Sequence, residues 1–550
     1  MKASIPGGTT ARADYPKVKK QIALKRLFLG VIILLSITGG VIATYSTANG
    51  PWGYTDPVEY ISTANSILHG RGIGYYEGDA QFTLTTIHPP FYSVMLSMIG
   101  LSGINLVAAS RWLNILAFVA SIFIAGWIFY RFSRVPALGV IASALMCAFP
   151  HMLVTFSSSY SEPLFILLLM ISGWCLLISL KTRKILAMVA SAVILGLVPL
   201  TRYAGVAMLA SGIAAVFFFT VWNLRTRLIK TLSFALIGCL PLALWLLRVY
   251  LISDHSVGGR ALGLDWSTLA DQFQGFRGIF MDTVWKWIPF QKNNSLLPYR
   301  VRFLIFAVGL IAIIALTLLA DRRIQKKVSS EQDMANFTYF GLSVLSYLVV
   351  LIATFLFTKP TIDINDRTLL PWFVCLVMGM LAAFSTWQSA WFAKRRRLLG
   401  IIPWLGLALC LYWYIPQTQE VVKFFHGSDG LTAYHWDRSE TIRAVRSLPV
   451  STPIISNDWE LLLLWTERPI HGFWNSFPSD SALTTDNWED GKDYIKSMVC
   501  DQSSALVIFN DFYTQYRNQV GDADEIQVVR LFADLSIHGK YADGTIYLCP

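Results

Sequence analysis

The sequence predicts a mainly helical, polytopic membrane protein that ends in a small α/β domain. Hydrophobic residues make up 54% of the 550 residues and charged residues only 14%, and the mean hydropathy is +0.51. Long apolar runs recur along the chain up to about residue 415, and a polar tail follows them. These observations exclude a soluble domain with an ordinary core.

The apolar runs set the number of membrane spans that we expect. Each run is roughly 16 to 25 residues long, close to the ~20 residues that a helical span requires. The runs cover residues 27–45, 106–130, 137–155, 164–180, 185–200, 204–222, 232–251, 303–320, 337–357, 369–390 and 398–415. They predict about eleven spans.

Basic residues predict the orientation of these spans. Five cations within residues 17–26 precede the first run, and no small-residue cleavage site follows it, so we expect a retained helix with the N-terminus inside. The basic connectors then alternate onto the cytoplasmic face. The net charge of +11 is explained largely by these anchors, so nucleic acid need not be invoked as a partner.

We expect the protein to lie in the inner (plasma) membrane, in contact with membrane lipids. The predicted orientation divides the chain into three parts. These parts are a cytoplasmic N-terminus at 1–26, a transmembrane region at 27–416 with outer loops 46–105 and 252–302, and an extracytoplasmic α/β domain at 417–550. The second outer loop contains Trp266, Trp285 and Trp287. Because indole favours the headgroup level, we expect interfacial helices there.

The tail alternates short helical and strand patterns. Helices are predicted at 441–447 and 459–465, strands at 453–456 and 505–509, and a closing hairpin from 528–533 and 544–548. Cys500 and Cys549 are the only cysteines outside the apolar runs. In an oxidising compartment these two could form a disulfide, although spacing alone leaves their pairing open.

Two acidic residues stand at predicted outer ends of spans. Asp56 follows the first span, and Glu59 lies three residues further, on the same face if the segment is helical. Asp56 is either a general base at the membrane surface or the cap of the helix that follows. Glu162 opens a span just before Pro163; the helix dipole alone would favour an acid there, and a functional acid is the alternative.

Several cations lie where the orientation rule does not favour them. Arg202 stands between two spans on the expected outer side; a phosphate partner would account for it, and so would a salt bridge to Glu162 or Asp56. Guanidinium groups bind phosphate oxygens in a bidentate way. Arg260 and Arg367 are favoured for this role over Arg248, which falls inside an apolar run.

A divalent metal ion could neutralise a phosphate as well. Glu77, Asp79 and His88 are its conceivable ligands, although no Asp-x-Asp or His-Glu cluster is present. His88 could instead contact a phosphate when protonated, or it could lie at the interface without a catalytic duty.

The order of these motifs resembles that of the GT-C glycosyltransferases. The resemblance covers residues 27–390 and rests on Asp56-x-x-x-Tyr60, on an amphipathic segment leading to His88-Pro89-Pro90, on Ser161-Glu162-Pro163, and on Arg367-Thr368-Leu369-Leu370-Pro371. It is closest to a bacterial branch similar to protein O-mannosyltransferases and to the lipid A aminoarabinose transferase. The family often has Lys before Pro-Pro, where this chain has His88.

The resemblance implies transfer of a hexosyl or pentosyl group from a polyprenyl-phosphate-linked donor to a lipid, glycan or protein acceptor outside the cytoplasm. Asp56 would be the general base of an inverting reaction, and Glu162 a second active-site acid. The expected substrate-binding residues are Glu59, Tyr60, His88, Arg202, Tyr203, Arg260, Asp366 and Arg367. The alternatives are a transporter or flippase of a lipid-linked envelope precursor and a non-enzymatic envelope assembly protein.

Overall fold

The structure is a computed structural model in which most of the chain is helical. It describes residues 15–133, 135–218, 222–253, 261–263, 269–288, 298–325, 332–359, 362–391, 401–427, 430–476, 488–520 and 525–550. The chain divides into two compact units. The helical unit comprises Met1–Tyr45, Asn114–Phe156 and Ser161–Lys423, and the mixed unit comprises Ser46–Leu113, Ser157–Tyr160 and Phe424–Pro550. The domain bounds expected from the sequence stay predictions.

Helices and strands follow one another in this order. The described α-helices are α1 Tyr15–Ser46, α2 Thr55–Leu68, α3 Phe91–Gly100, α4 Leu106–Phe132, α5 Leu138–Ala148, α6 Pro150–Phe156, α7 Glu162–Thr182, α8 Ile185–Thr201, α9 Val206–Phe218, α10 Leu224–Ile252, α11 Leu269–Lys286, α12 Tyr299–Gln325, α13 Gln332–Phe357, α14 Asp366–Trp391, α15 Ile402–His426, α16 Glu440–Ser447, α17 Trp459–Thr466, α18 Trp488–Cys500, α19 Phe512–Val520 and α20 Glu525–Arg530. The described strands are β1 Gly74–Tyr76, β2 Phe82–Leu84, β3 Ala261–Leu262, β4 Thr358–Lys359, β5 Ile454–Ser456, β6 His471–Gly472, β7 Ala505–Phe509, β8 Ser536–Lys540 and β9 Gly544–Leu548.

The apolar helices identify an integral membrane protein. Within the described ranges, seven helices are long and apolar enough to cross a membrane, and eight if α5 and α6, bent by 62° at their junction, form one span. The other predicted runs are also helical, but α8 and α9 are short and α15 is not among the seven. The mainly helical, polytopic fold class is therefore confirmed. The count of about eleven spans, the inside N-terminus and the extracytoplasmic position of the C-terminal domain stay predictions.

Close helix packing organises the helical unit. Helix α7 packs against α8, and α8 packs against α10. At the second of these crossings, a Cβ atom added to Gly196 would lie 2.7 Å from the backbone oxygen of Gly238. Small residues at such crossings allow helix backbones to approach closely, which drives association where no water is expelled.

The predicted interfacial segment of the second outer loop contains helix α11, but Trp287 is not a surface anchor. Trp287 is only 4% exposed, and its ring packs edge-on against Phe373 with centroids 5.0 Å apart. Burial in a protein core satisfies the indole better than a headgroup position when its N–H has a partner, which here is Asp366. Trp266 lies outside the described residues.

A five-stranded sheet with the order β6-β5-β7-β9-β8 forms the centre of the mixed unit. Strands β6, β5 and β7 are parallel, and β7, β9 and β8 are antiparallel. Side chains from this sheet and from the helices after α17 form one apolar core, which includes Ile455, Leu506 and Phe512. The predicted helices at 441–447 and 459–465 and the strands at 453–456 and 505–509 are confirmed.

The prediction of the closing hairpin is half wrong. Strand β9 pairs with β8 at Ser536–Lys540, whereas the segment 528–533 belongs to helix α20 and the turn after it. Val528, Leu531 and Phe532 enter the core together, and this spacing of three and four residues is the helical one. The pairing of Cys500 and Cys549, which the sequence left open, is formed in the structure: the two cysteines are bonded with their Cα atoms 4.9 Å apart.

Candidate active site

Asp56 lies in the first turn of α2 in the mixed unit. The helix begins at Thr55, and its cap residue Tyr54 makes no side-chain capping bond. Asp56 is therefore inside the helix and is not its N-cap, which corrects the capping alternative. A half-buried carboxylate in a first turn is favoured by the partial positive charge of the helix N-terminus.

Glu59, Tyr60 and His88 form a connected group in the same unit. The Nε2 atom of His88 is 3.1 Å from a carboxylate oxygen of Glu59, and its Nδ1 atom is 3.3 Å from the hydroxyl of Tyr60. Both ring nitrogens of His88 thus contact residues that the sequence predicts to bind substrate. The three side chains line one narrow cleft together with Thr63 and Ser93.

The structure adds two residues to this group that sequence reasoning missed. Tyr75 donates a hydrogen bond to Glu59, and burial, together with the charges of Glu59 and Glu77, raises the pKa of the tyrosine. Glu460, in α17, accepts a hydrogen bond from the Thr55 hydroxyl. Burial raises the pKa of Glu460, as do the charges of Glu59 and Asp56, and the bond from Thr55 only partly offsets them.

Two further acids lie near this group. Burial first, and then the charges of Asp79 and Glu59, raise the pKa of Glu77. Asp458, which precedes α17, has a pKa raised to about 7 by burial and by the charges of Asp511 and Glu460.

The metal ligands suggested from the sequence do not form a ligand set. Across the described ranges, no group of three or more His, Cys, Asp or Glu side chains could hold a metal ion. His88 is instead committed to Glu59 and Tyr60. The suggestion that Glu77, Asp79 and His88 together bind a cation is therefore wrong in its geometry.

Glu162 is the centre of a charge cluster in the helical unit. Its side chain is fully buried at the first turn of α7. Its oxygen Oε1 accepts a hydrogen bond from Arg202 Nη1 at 2.7 Å and another from Arg367 Nε. The second oxygen, Oε2, is buried and has no hydrogen-bond partner within the part of the chain that the structure describes. Of the two partners expected for a salt bridge of Arg202, the structure shows Glu162.

Asp366, beside Arg367, has partners of its own in the helical unit. One of its oxygens accepts from Trp287 Nε1 at 2.7 Å, and the other is 3.6 Å from His151 Nδ1. These contacts position the start of α14, where Arg367 follows. His151 and Trp287 are functional-site residues that sequence reasoning missed: His151 lies in an apolar run, and Trp287 was interpreted as a membrane-surface anchor.

Tyr203 and Arg248 meet through a tryptophan. The Tyr203 hydroxyl accepts from Trp245 Nε1 at 2.9 Å, and the guanidinium of Arg248 lies 4.7 Å from the centre of that indole. Arg248 therefore stacks within its own helix, α10, as a cation–π pair. Arg260 lies outside the described residues, and its predicted role stays a prediction.

Two guanidinium groups share one carboxylate in the cluster around Glu162. Each arginine side chain is 23% exposed, whereas the Glu162 side chain is 0% exposed. Arginine offers five N–H donors in a fixed plane, so a pair fixed by one carboxylate suits an anion with several oxygens. In the mixed unit, by contrast, acidic residues predominate around Asp56.

The apolar helices define a polytopic integral membrane protein, and its fold is similar to that of a solved arabinofuranosyltransferase. Arabinofuranosyltransferase AftD from mycobacteria matches with a TM-score of 0.52 and 15% identity, over 94% of this chain and 41% of AftD. ArnT from Cupriavidus metallidurans matches with a TM-score of 0.43 and 13% identity over 94% of this chain. The match covers 98% of ArnT solved with undecaprenyl phosphate and 97% of the apo form. No protein-family model and no curated protein sequence matches the chain.

Proposed function

We propose that this protein is a glycosyltransferase that uses a polyprenyl-phosphate-linked sugar as donor and acts on the extracytoplasmic side of the inner membrane. The observation that carries the proposal is the buried Glu162 that holds Arg202 and Arg367 at one oxygen. The likeness to AftD supports the fold of such an enzyme. The sugar is a hexosyl or pentosyl group, and the acceptor is a lipid, glycan or protein hydroxyl.

The arginine pair matches the charge change of this reaction. The donor is a phosphodiester with one negative charge, and the departing polyprenyl phosphate is a monoester that approaches two. Donors aimed at developing charge lower the barrier, because they bind the transition state better than the ground state. Arg202 and Arg367 would supply these donors, and Glu162 would hold both guanidinium groups in place. Glu162 then acts by positioning the arginines.

Asp56 is the proposed general base. Its carboxylate takes the proton of the acceptor hydroxyl while that oxygen forms a bond to the anomeric carbon. The bond from this carbon to the phosphate oxygen breaks, polyprenyl phosphate leaves with the electron pair, and the anomeric configuration inverts. Glu59, Tyr60 and His88 would hydrogen-bond the sugar or the acceptor, because they are polar, mutually held and line one cleft.

Radiolabelled polyprenyl-phosphate sugars, offered one at a time to the purified full chain, would identify the donor that loses its sugar. We expect Asp56→Asn to lower turnover by about 100-fold or more, the usual contribution of a general base, with donor binding retained. Asp493→Asn, at an exposed position of the mixed unit, is the matched control and should leave turnover unchanged.

Equal turnover in wild type and Asp56→Asn would remove the base role. If the intact donor crossed the bilayer of proteoliposomes and no sugar were released from any donor, the protein would be a transporter and not a glycosyltransferase.

A further inference from the structure

The loop before Asp56 is held by the C-terminal segment of the mixed unit. The backbone N–H of Leu431 donates a hydrogen bond to the carbonyl oxygen of Gly53, with an N–O distance of 2.9 Å. The backbone N–H of Tyr434 donates one to the carbonyl oxygen of Asn49 at 2.8 Å. Gly50 has a φ of +114°, and a Cβ atom there would lie 2.7 Å from the carbonyl oxygen of Thr432. Only glycine allows this approach. The tail thus fixes the path of the chain just ahead of α2.

A second part of the tail reaches the first turn of α2 itself. Helix α17 packs against α2, and Glu460 in the first turn of α17 accepts a hydrogen bond from the Thr55 hydroxyl. Thr55 is the residue before Asp56. Trp459, the neighbour of Glu460, lies against Gly78, where an added Cβ would be 3.1 Å from the indole. The packing of Trp459 therefore helps to fix the start of α17, where Glu460 lies.

We propose that Glu460 is a positioning residue for Asp56, which fixes the first turn of α2 through Thr55 and sets the negative charge beside the base. This inference rests on the proposed function of Asp56. It gives the tail a role in the reaction: the tail would supply a carboxylate to the candidate site. No local sequence pattern indicates this role.

The charge of Glu460 has a predictable effect on the pH dependence of transfer. The ionisable groups that face it are Asp56 and Glu59 from α2, Tyr75 from β1 and Asp458 from its own turn. Two neighbouring carboxylates oppose each other's ionisation. Removal of the Glu460 charge should therefore let Asp56 ionise at lower pH.

Three variants separate the hydrogen bond from the charge. Glu460→Gln keeps an oxygen acceptor for Thr55 and removes the charge; Glu460→Ala removes both; Thr55→Val removes the donor with little change of shape. Glu440→Gln, at an exposed position of the tail, is the matched control. Each is made in the full chain, and kcat and KM are measured across pH with the donor that the wild type uses.

For Glu460→Gln we expect the acid limb of kcat/KM to move to lower pH by about half a unit, a shift that a merely structural role would not cause. Glu460→Ala and Thr55→Val should each lower kcat about tenfold with KM within about twofold, because a misplaced base costs turnover more than binding. The double variant Glu460→Ala with Thr55→Val should be no worse than either single variant, since one hydrogen bond is lost in all three.

A pH profile of Glu460→Gln that superimposes on the wild type, or single losses that multiply in the double variant, would overturn the inference. Its failure is distinct from failure of the proposed function. In the first case the wild type transfers sugar, depends on Asp56 and ignores Glu460; in the second, the wild type transfers no sugar from any donor.

Discussion

Replacement of Glu162 by glutamine should destabilise the protein by about 3 kcal/mol, because Arg202 and Arg367 lose their shared counterion. The Glu162 side chain is 0% exposed and each arginine is 23% exposed. Removal of one partner from a buried ion pair costs ~3–5 kcal/mol. The lower end of this range applies because water reaches part of each guanidinium and screens its charge.

The measurement is an equilibrium unfolding titration of the purified full chain in mixed micelles, followed by tryptophan fluorescence. About 3 kcal/mol corresponds to a ~150-fold change in the unfolding equilibrium. The double variant Glu162→Gln with Arg202→Met should recover ~1 kcal/mol or more, since it removes one of the two opposed cations. Glu420→Gln, at an exposed position of α15, is the control and should stay within ~0.5 kcal/mol of the wild type. If Glu162→Gln were equally stable, or if the two substitutions were additive, the account of the cluster would be wrong.

Two further predictions concern the tail. Cys500 and Cys549 are 49 residues apart, so reduction of their disulfide should destabilise the mixed unit by ~4 kcal/mol, because the unfolded chain gains conformational entropy. Faster hydrogen exchange in β7 and β9 of the reduced full chain would confirm this prediction, and unchanged exchange would contradict it. Asp458 has a pKa of about 7 in the folded state, above its ordinary value, so its ionisation opposes folding above that pH and the penalty disappears as the pH falls below the ordinary pKa. Asp458→Asn should therefore slow exchange in β5 at pH 8 and change little at pH 4; an equal effect at both pH values would contradict this reasoning.

The membrane helices could be predicted because their signal is local. A run of about twenty apolar residues identifies a span without knowledge of its neighbours, and nearly all described residues of the predicted runs are helical. The segment 528–533 was misassigned because short apolar stretches fit a strand and a helix equally well. Its core contacts, through Val528, Leu531 and Phe532, decide for the helix, and those contacts depend on the rest of the unit.

The site could be predicted only as a set of separate residues. Glu162, Arg202 and Arg367 were recognisable because charge is costly at a membrane boundary. Their convergence on one oxygen joins residues 205 positions apart, which no spacing rule anticipates. Glu460 carried no signal at all, since an acid in the first turn of a short helix is ordinary. Only its hydrogen bond with Thr55 distinguishes it.

The Glu162 variant also tests whether its arginines bind a phosphate. With the carboxylate removed, the two guanidinium groups lose the negative charge that they share. A polyprenyl phosphate bound there would supply the missing negative charge. A ligand that binds only the folded state stabilises it in proportion to its affinity, so polyprenyl phosphate should stabilise Glu162→Gln more than the wild type, and the uncharged polyprenol should stabilise neither. If polyprenyl phosphate stabilised both proteins equally, the phosphate would have to bind elsewhere, and Glu162 would be a structural counterion for two arginines with no part in donor recognition.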